Sequence, residues 1–347
     1  MKLDLPPTTT KFDRITLQGG LDLLTPTLQV APGVAREALN WEQSITGGYS
    51  TLMGYERMDG RASPSAAVYL TITVTGTVSV GSTITGGTSG ATGVVLSVTD
   101  GVVAYTKSTG TFLVGESIGS AAITSLGGVV TDPTYSAQQS ALAADVYRAD
   151  IQAVPGSGPT RGVAFLGGVL YAWRDNVGAT AMAIYKATLS GWTLVPLLYE
   201  IAFTLGSAEY AEGSTLSRGG VTATVRRSVL ETGDWLAGTA AGRLIVTAPS
   251  GTFTAGVAGG GGVATLSGNA TAITLLPGGR VETDLGNFKG STRLYCADGV
   301  NRAYEFDGTY LVPLNTGNTP DTPAHVRTHQ NHLFIGLGTF IQHSGIG

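Results

Sequence analysis

The sequence predicts an all-β protein: a propeller-like core of short antiparallel strands, an extended N-terminal arm and two inserted small β modules. Three observations lead there. Thr, Ser, Val and Gly dominate a chain of 347 residues in which only 13% are charged, a composition that suits many short strands joined by tight turns. Residues 81–92 and 213–224 align without a gap, and six of the twelve positions are identical. Turn dipeptides such as Gly167-Gly168, Asp298-Gly299 and Asp307-Gly308 separate apolar runs of strand length.

The arm spans residues 1–66. From Gly19-Gly20 it passes Pro26 and Pro32, reaches Ala38-Leu39-Asn40, and leaves through Gly54-Tyr55-Glu56-Arg57 to Gly60-Arg61. Glycine and proline at this density break a long helix. Leu39, Trp41 and Ile45 share one parity and Asn40, Glu42 and Ser44 the other, which fits a strand with one buried face. Gly47-Gly48 fits the hairpin turn after it. An arm that meanders before the first domain needs another surface to lie on.

Residues 67–131 and 200–268 read as two copies of one small β module. Each repeat carries a second anchor, Gly110-Thr111-Phe112 with Gly115 and Gly251-Thr252-Phe253 with Gly256. Between them, residues 132–199 hold a helix and then a blade. The helix opens after Asp132-Pro133 and runs from Tyr135 to Ile151 on Ala, Gln and Leu. Strands follow at 162–166, 169–174, 180–188 and 192–198, the number in one propeller blade. Residues 269–347 repeat the idea in 294–314 and 325–347. Strand–turn–strand units recurring around the modules favour blades over a sandwich. Three such units do not close a propeller, and residues 342–347 read as mid-strand or mid-turn, so the chain reads as the front part of a longer product.

The arm resembles that of the tail-nozzle proteins of short-tailed bacteriophages, also called tail tubular protein B. There a Gly-Gly step, a proline-bearing extended run, an Ala/Val-x-Asn segment and a turn into Arg/Gly-rich sequence precede a β-propeller. The resemblance covers about the first sixty residues. It implies a structural virion protein with no enzymatic role, assembled in the host cytoplasm. It also implies a homo-oligomeric ring, hexameric in that family, at the distal end of the tail. The ring would dock to the tail adaptor and fibre proteins while genomic double-stranded DNA passes through its lumen. The alternative is a tail spike or adhesin that binds host glycans through the β modules.

Charge agrees with a channel that does not hold DNA. The formal net charge is −4, and nothing suggests a surface that grips phosphates. Cys296 is the single cysteine, so no internal disulfide forms and the fold does not rely on an oxidising compartment. The start, Met-Lys-Leu-Asp-Leu-Pro-Pro, lacks the apolar run of a signal peptide, and no span has the length of uninterrupted apolar sequence that crosses a bilayer.

The expectation is therefore of no catalytic, cofactor-binding or metal site. Gly156-x-Gly158-x-x-Arg161-Gly162 lacks the lysine and hydroxyl of a phosphate loop, and no Gly-x-Ser-x-Gly elbow occurs. Gly259-Gly260-Gly261-Gly262 reads as a turn or hinge. Asp175 lacks the spacing of a sialidase aspartate box. His325, His329, His332 and His343 crowd the last 23 residues; on one strand His325 and His329 share a face and His332 takes the other, which argues against a metal centre. Glu200, Glu209, Glu212, Glu231, Asp234, Glu282 and Asp284 are scattered, although strands bring distant carboxylates together. Cys296 reads as a small buried hydrophobe. Asn269-Ala270-Thr271 fits a glycosylation acceptor that a cytoplasmic protein does not use. Trp173, Trp192, Tyr171 and Tyr185 read as core, leaving Trp41 and Trp235 as the freer aromatics.

Overall fold

Short β-rich runs broken by glycine pair into six antiparallel sheets among the described residues. The computed structural model describes residues 20–36, 41–43, 49–51, 56–131, 134–288 and 290–345, in two units, Met1–Glu56 and Arg57–Gly347.

In the first unit, β1 (Trp41–Gln43) and β2 (Tyr49–Thr51) form the expected hairpin. Its connection, with Gly47-Gly48, lies outside the described residues. Ahead of it, residues 20–36 make a loop whose ends meet. Leu21 and Ala35 bridge, and the Asp22 amide donates to the Ala35 carbonyl at 2.9 Å. The Asp22 carboxylate accepts from the Leu24 and Thr25 amides, each at 2.9 Å, an Asx-type turn. Arg36 donates to the Thr25 carbonyl at 2.6 Å and to Thr27 Oγ1 at 3.1 Å. Leu23, Leu24 and Leu28 are left exposed, Leu24 and Leu28 almost completely.

The second unit opens with a six-stranded sheet: β3 (Leu70–Thr75), β4 (Thr83–Thr85), β5 (Thr92–Thr99), β6 (Val102–Thr109), β7 (Ser117–Ile118) and β8 (Ala121–Leu126), in order β4-β5-β6-β3-β8-β7. Ile72, Val95, Val103, Phe112 and Ile123 fill its own core. Helix α1 (Tyr135–Asp150) lies against the outside, setting Tyr135 and Ala143 on Leu96 and Ala104. The Asp132-Pro133 step lies outside the described residues. Among the described residues no helix is long and apolar enough to cross a membrane.

Next comes a four-stranded meander, β9 (Ser157–Leu166), β10 (Val169–Asp175), β11 (Met182–Thr188) and β12 (Gly191–Leu194). These are the four strands expected of the first blade-like unit. The first begins at Ser157 rather than 162, and the last ends at Leu194 rather than 198, with Pro196 following, because proline cannot donate to the ladder. A seven-stranded sheet follows: β13 (Tyr199–Ala208), β14 (Thr215–Arg218), β15 (Val221–Thr232), β16 (Ala240–Val246), β17 (Gly256–Gly260), β18 (Val263–Leu266) and β19 (Thr271–Ala272). Because β13 pairs with both β16 and β18 while β14 pairs with β17, it nearly closes into a barrel. A second meander, β20 (Glu282–Gly286), β21 (Arg293–Ala297), β22 (Tyr304–Phe306) and β23 (Leu311–Pro313), and a three-stranded one, β24 (His325–His329), β25 (His332–Leu337) and β26 (Phe340–His343), complete the described chain.

The two sequence repeats share one strand order. β4-β5-β6-β3-β8-β7 corresponds to β14-β15-β16-β13-β18-β17. Phe112 and Phe253, the second anchors, are both buried. Pairing shifts the gapless alignment by two residues after the first turn. Thr83 faces Val94, whereas Thr215 faces Thr224. The Gly219-Gly220 turn, at φ 57° and 82°, needs only two residues, as a type I′ turn does. The first copy uses residues 87–90 instead, since the Gly86 amide still bonds the Ala91 carbonyl at 2.8 Å.

The copies differ at the seam. Of the glycine run, Gly259 and Gly260 end strand β17, which corrects their reading as a hinge, while Gly261-Gly262 make the turn into β18. At Gly260 (φ 111°) a Cβ would overlap the Thr215 carbonyl oxygen, so only glycine lets β17 approach β14. The first copy carries Glu116, Ser117 and Ile118 in this region, and its edge strands are joined by one bond, Gly87 N–H to the Ser117 carbonyl at 2.9 Å.

Here Glu116 ties the sheet. Its buried carboxylate accepts from the amides of Thr88 (3.0 Å), Ser89 (2.8 Å) and Leu113 (2.7 Å) and from the Ser89 hydroxyl (2.8 Å). The second copy makes the same junction with opposite polarity: Arg218 donates to the carbonyls of Thr254, Ala255 and Val257. Burial alone would raise the Glu116 pKa, but the donors, Ser89 first, outweigh it and hold the group at about 2. A carboxyl depressed on folding contributes stability that is complete above its ordinary value of 4.5 and is lost as the pH falls towards about 2. Denaturant melts at stepped pH should therefore show the wild-type sheet weakening across that window. Glu116→Gln should start less stable at neutral pH and show a flatter acid limb.

Candidate functional site

Strand β16 is buried on both faces. Leu244 and Val246 fill the barrel core, while Ile245 enters the core shared with the two four-stranded meanders. Arg243 alternates with Leu244 and is also buried. Its Nη1 donates to Glu200 at 2.9 Å, its Nε to Glu231 at 2.7 Å and its Nη2 to the Pro313 carbonyl at 3.0 Å. Arg302 takes the other Glu200 oxygen at 2.6 Å, and Asn315 joins Arg302 to Glu231 at 2.9 and 2.6 Å. A second cluster lies alongside: Arg227 donates to Glu305 (2.9 Å) and Asp307 (3.2 Å), and Arg293 to Glu305 (2.7 Å). Both clusters fasten the barrel to the second meander, with geometry fixed by the planar guanidinium forks.

This interlock borders a groove of about 550 Å³. Ser228 and Arg227 of β15 line one side with Trp235; Arg293, Tyr295 and Glu305 of the second meander line the other with Phe288. Trp235 stacks on Phe203, centroids 5.1 Å apart and planes inclined by 21°. The Ser228 hydroxyl oxygen is buried without a hydrogen-bond partner. Burial, reinforced by Glu305, pushes the Tyr295 hydroxyl up to about 12, so it remains a neutral donor.

The carboxylates singled out from sequence are dispersed. Glu200 and Glu231 do come together, but around Arg243, as halves of a structural clasp. Glu209 lines the groove. Asp234 accepts from the Ala237 amide in a turn, and Asp284 from the Thr328 amide and hydroxyl. Glu282 meets His325 at 3.1 Å. Asp175 is buried against Arg161, and the Asn269 side chain accepts from the Phe253 amide at 3.0 Å.

The histidine parity needs correction. Gln330-Asn331 forms a hairpin turn, so His329 pairs with His332 and both lie on one face. Opposed residues of an antiparallel pair share a face, which a single-strand count misses. His332 and His343 rings lie 5.2 Å apart. Among the described residues no three His, Cys, Asp or Glu side chains are placed to hold a metal ion.

Trp173 and Tyr171 are buried as read, whereas Tyr185 and Trp192 are half-buried on the opposite face of their meander. The Trp41 side chain lies outside the described residues. Cys296 is fully buried, and burial drives its thiol pKa well up, leaving it protonated. Comparison with protein-family models, with curated proteins and with solved structures gives no match.

Sequence reasoning missed Arg243 and Arg227. The available signal for Arg243 was an arginine directly ahead of the apolar run Leu244-Ile245-Val246, because a charge in a two-faced buried strand needs a partner. Arg243→Ala leaves Glu231 without a charged partner and Glu200 with Arg302 alone. The expected loss is about 3 kcal/mol, at the lower end for a broken buried pair because water screens Glu231. Adding Glu200→Gln and Glu231→Gln should recover much of it in urea melts.

Proposed function

We propose that this chain is a structural protein of a bacteriophage tail, a nozzle subunit whose ring extends the DNA-ejection channel and docks to tail adaptor and fibre proteins. The three meanders are then successive propeller blades. The genome passes through the lumen without specific binding, as suits a surface with no excess of basic residues. Assembly takes place in the host cytoplasm and the mature location is the virion tail.

The observation that carries this reading is the loop 20–36. Its polar groups satisfy one another while Leu23, Leu24 and Leu28 face outward. Fully burying a leucine is worth roughly 1.5–3 kcal/mol, so a preformed loop that presents three is suited to a neighbouring subunit. The first meander adds support. Val163, Phe165 and Leu194 stand exposed on the face opposite Tyr171 and Trp173, an apolar face of the kind on which another blade packs.

Negative-stain micrographs of the full chain with its tail adaptor should show closed rings. Leu24→Asp combined with Leu28→Asp should leave monomers of unchanged circular dichroism. A wild-type chain that stays monomeric under those conditions would contradict the proposal.

A further inference from the structure

The groove between the barrel and the second meander has the chemistry of a ligand site independent of any role in assembly. Its size, about 550 Å³, falls within the range of small-molecule pockets. Aromatic rings of Trp235, Phe288 and Tyr295 supply flat apolar walls. Trp235 is braced from behind by Phe203, so it enters an encounter already ordered.

The polar groups decide what those walls hold. Arg227 and Arg293 are balanced by Glu305 and Asp307, and Glu209 is a further carboxylate of the lining, so no cation is left uncompensated. An added anion would meet two carboxylates that already occupy the guanidinium groups, and an added cation would meet the guanidinium groups. A purely apolar ligand would cover these charges without replacing their contacts with water, and would leave the Ser228 hydroxyl unpartnered. The ligand that fits has apolar faces and neutral hydroxyls at its edges. A pyranose ring is built that way: its C–H face stacks on aromatic rings, and its hydroxyls both donate to carboxylates and accept from guanidinium and phenol groups. We infer that this groove binds a neutral pyranose glycan, with Trp235 as the stacking platform and Ser228, Arg227, Arg293 and Glu305 as the hydrogen-bonding floor.

The site requires the barrel and the second meander together, so neither alone is expected to bind. The test is titration of the full chain by calorimetry and tryptophan fluorescence with neutral disaccharides (maltose, cellobiose, lactose and chitobiose) and with neutral bacterial surface polysaccharides. Saturable binding is expected at millimolar or better concentration to at least one probe, weakened roughly tenfold or more by Trp235→Ala, which corresponds to about 1.4 kcal/mol. Because Trp235 also packs on Phe203, Tyr295→Phe serves as a second variant that keeps the ring and removes only its hydroxyl. It should weaken binding severalfold with no change in thermal midpoint. Response to the polysaccharides alone would identify an extended glycan as the ligand, and response to the disaccharides a terminal unit. No saturation with any probe, or binding that neither variant alters, would overturn the inference, and either result leaves the ring proposal standing.

Discussion

Burial of single strands on both faces is the constraint on which the core of the second unit depends. β16 sends Leu244 and Val246 into the barrel and Ile245 into the meander core. β21 sends Leu294 and Cys296 towards the first meander and Tyr295 and Ala297 towards the third. Such strands have no solvent face, so any polar residue on them must be partnered within the protein. Arg243 and Arg293 are the two such residues, and their carboxylate partners come from neighbouring elements. The ion pairs thus set the register between sheets more than they add net stability. Edge-to-face packing of Tyr171 and Trp173 on Phe306, at 5.0 and 6.4 Å, completes the joint between the first two meanders.

The duplicated sheets show how one topology tolerates different local chemistry. Glycine at position 260 lets the second copy draw β17 against β14. The first copy has side chains in that region and holds the same junction with the Glu116 carboxylate. Arg218 reverses the polarity of that contact in the second copy. Strand order, set by the apolar alternation of six short strands, persists through these changes.

Much of this was legible in the residues. The hairpin turns, the four strands of the first meander, helix α1 and the internal repeat followed from glycine pairs, alternation and alanine content. What escaped notice depended on long-range pairing. The two-residue slip between repeats comes from different turn lengths, which identical residues on either side conceal. The histidine faces changed because a turn of two non-glycine residues, Gln330-Asn331, interrupts the run. Gly259-Gly260 looked like part of the turn because the strand they pair with, β14, lies forty residues away. The groove joins β15 to the second meander through residues that no local motif connects, so of the residues singled out only Trp235, noted as a free aromatic, and Glu209 fell in it.

If the two-faced strands make the barrel and the meanders one cooperative body, the most direct measurement is native-state hydrogen exchange of the full chain with and without Phe306→Ala. Removing that ring should lower protection of the barrel amides of Leu244 and Ile245 together with those of Trp173 and Cys296, while amides of the six-stranded sheet, which has its own core, keep theirs. Loss of protection confined to the meanders, with the barrel unaffected, would contradict the account.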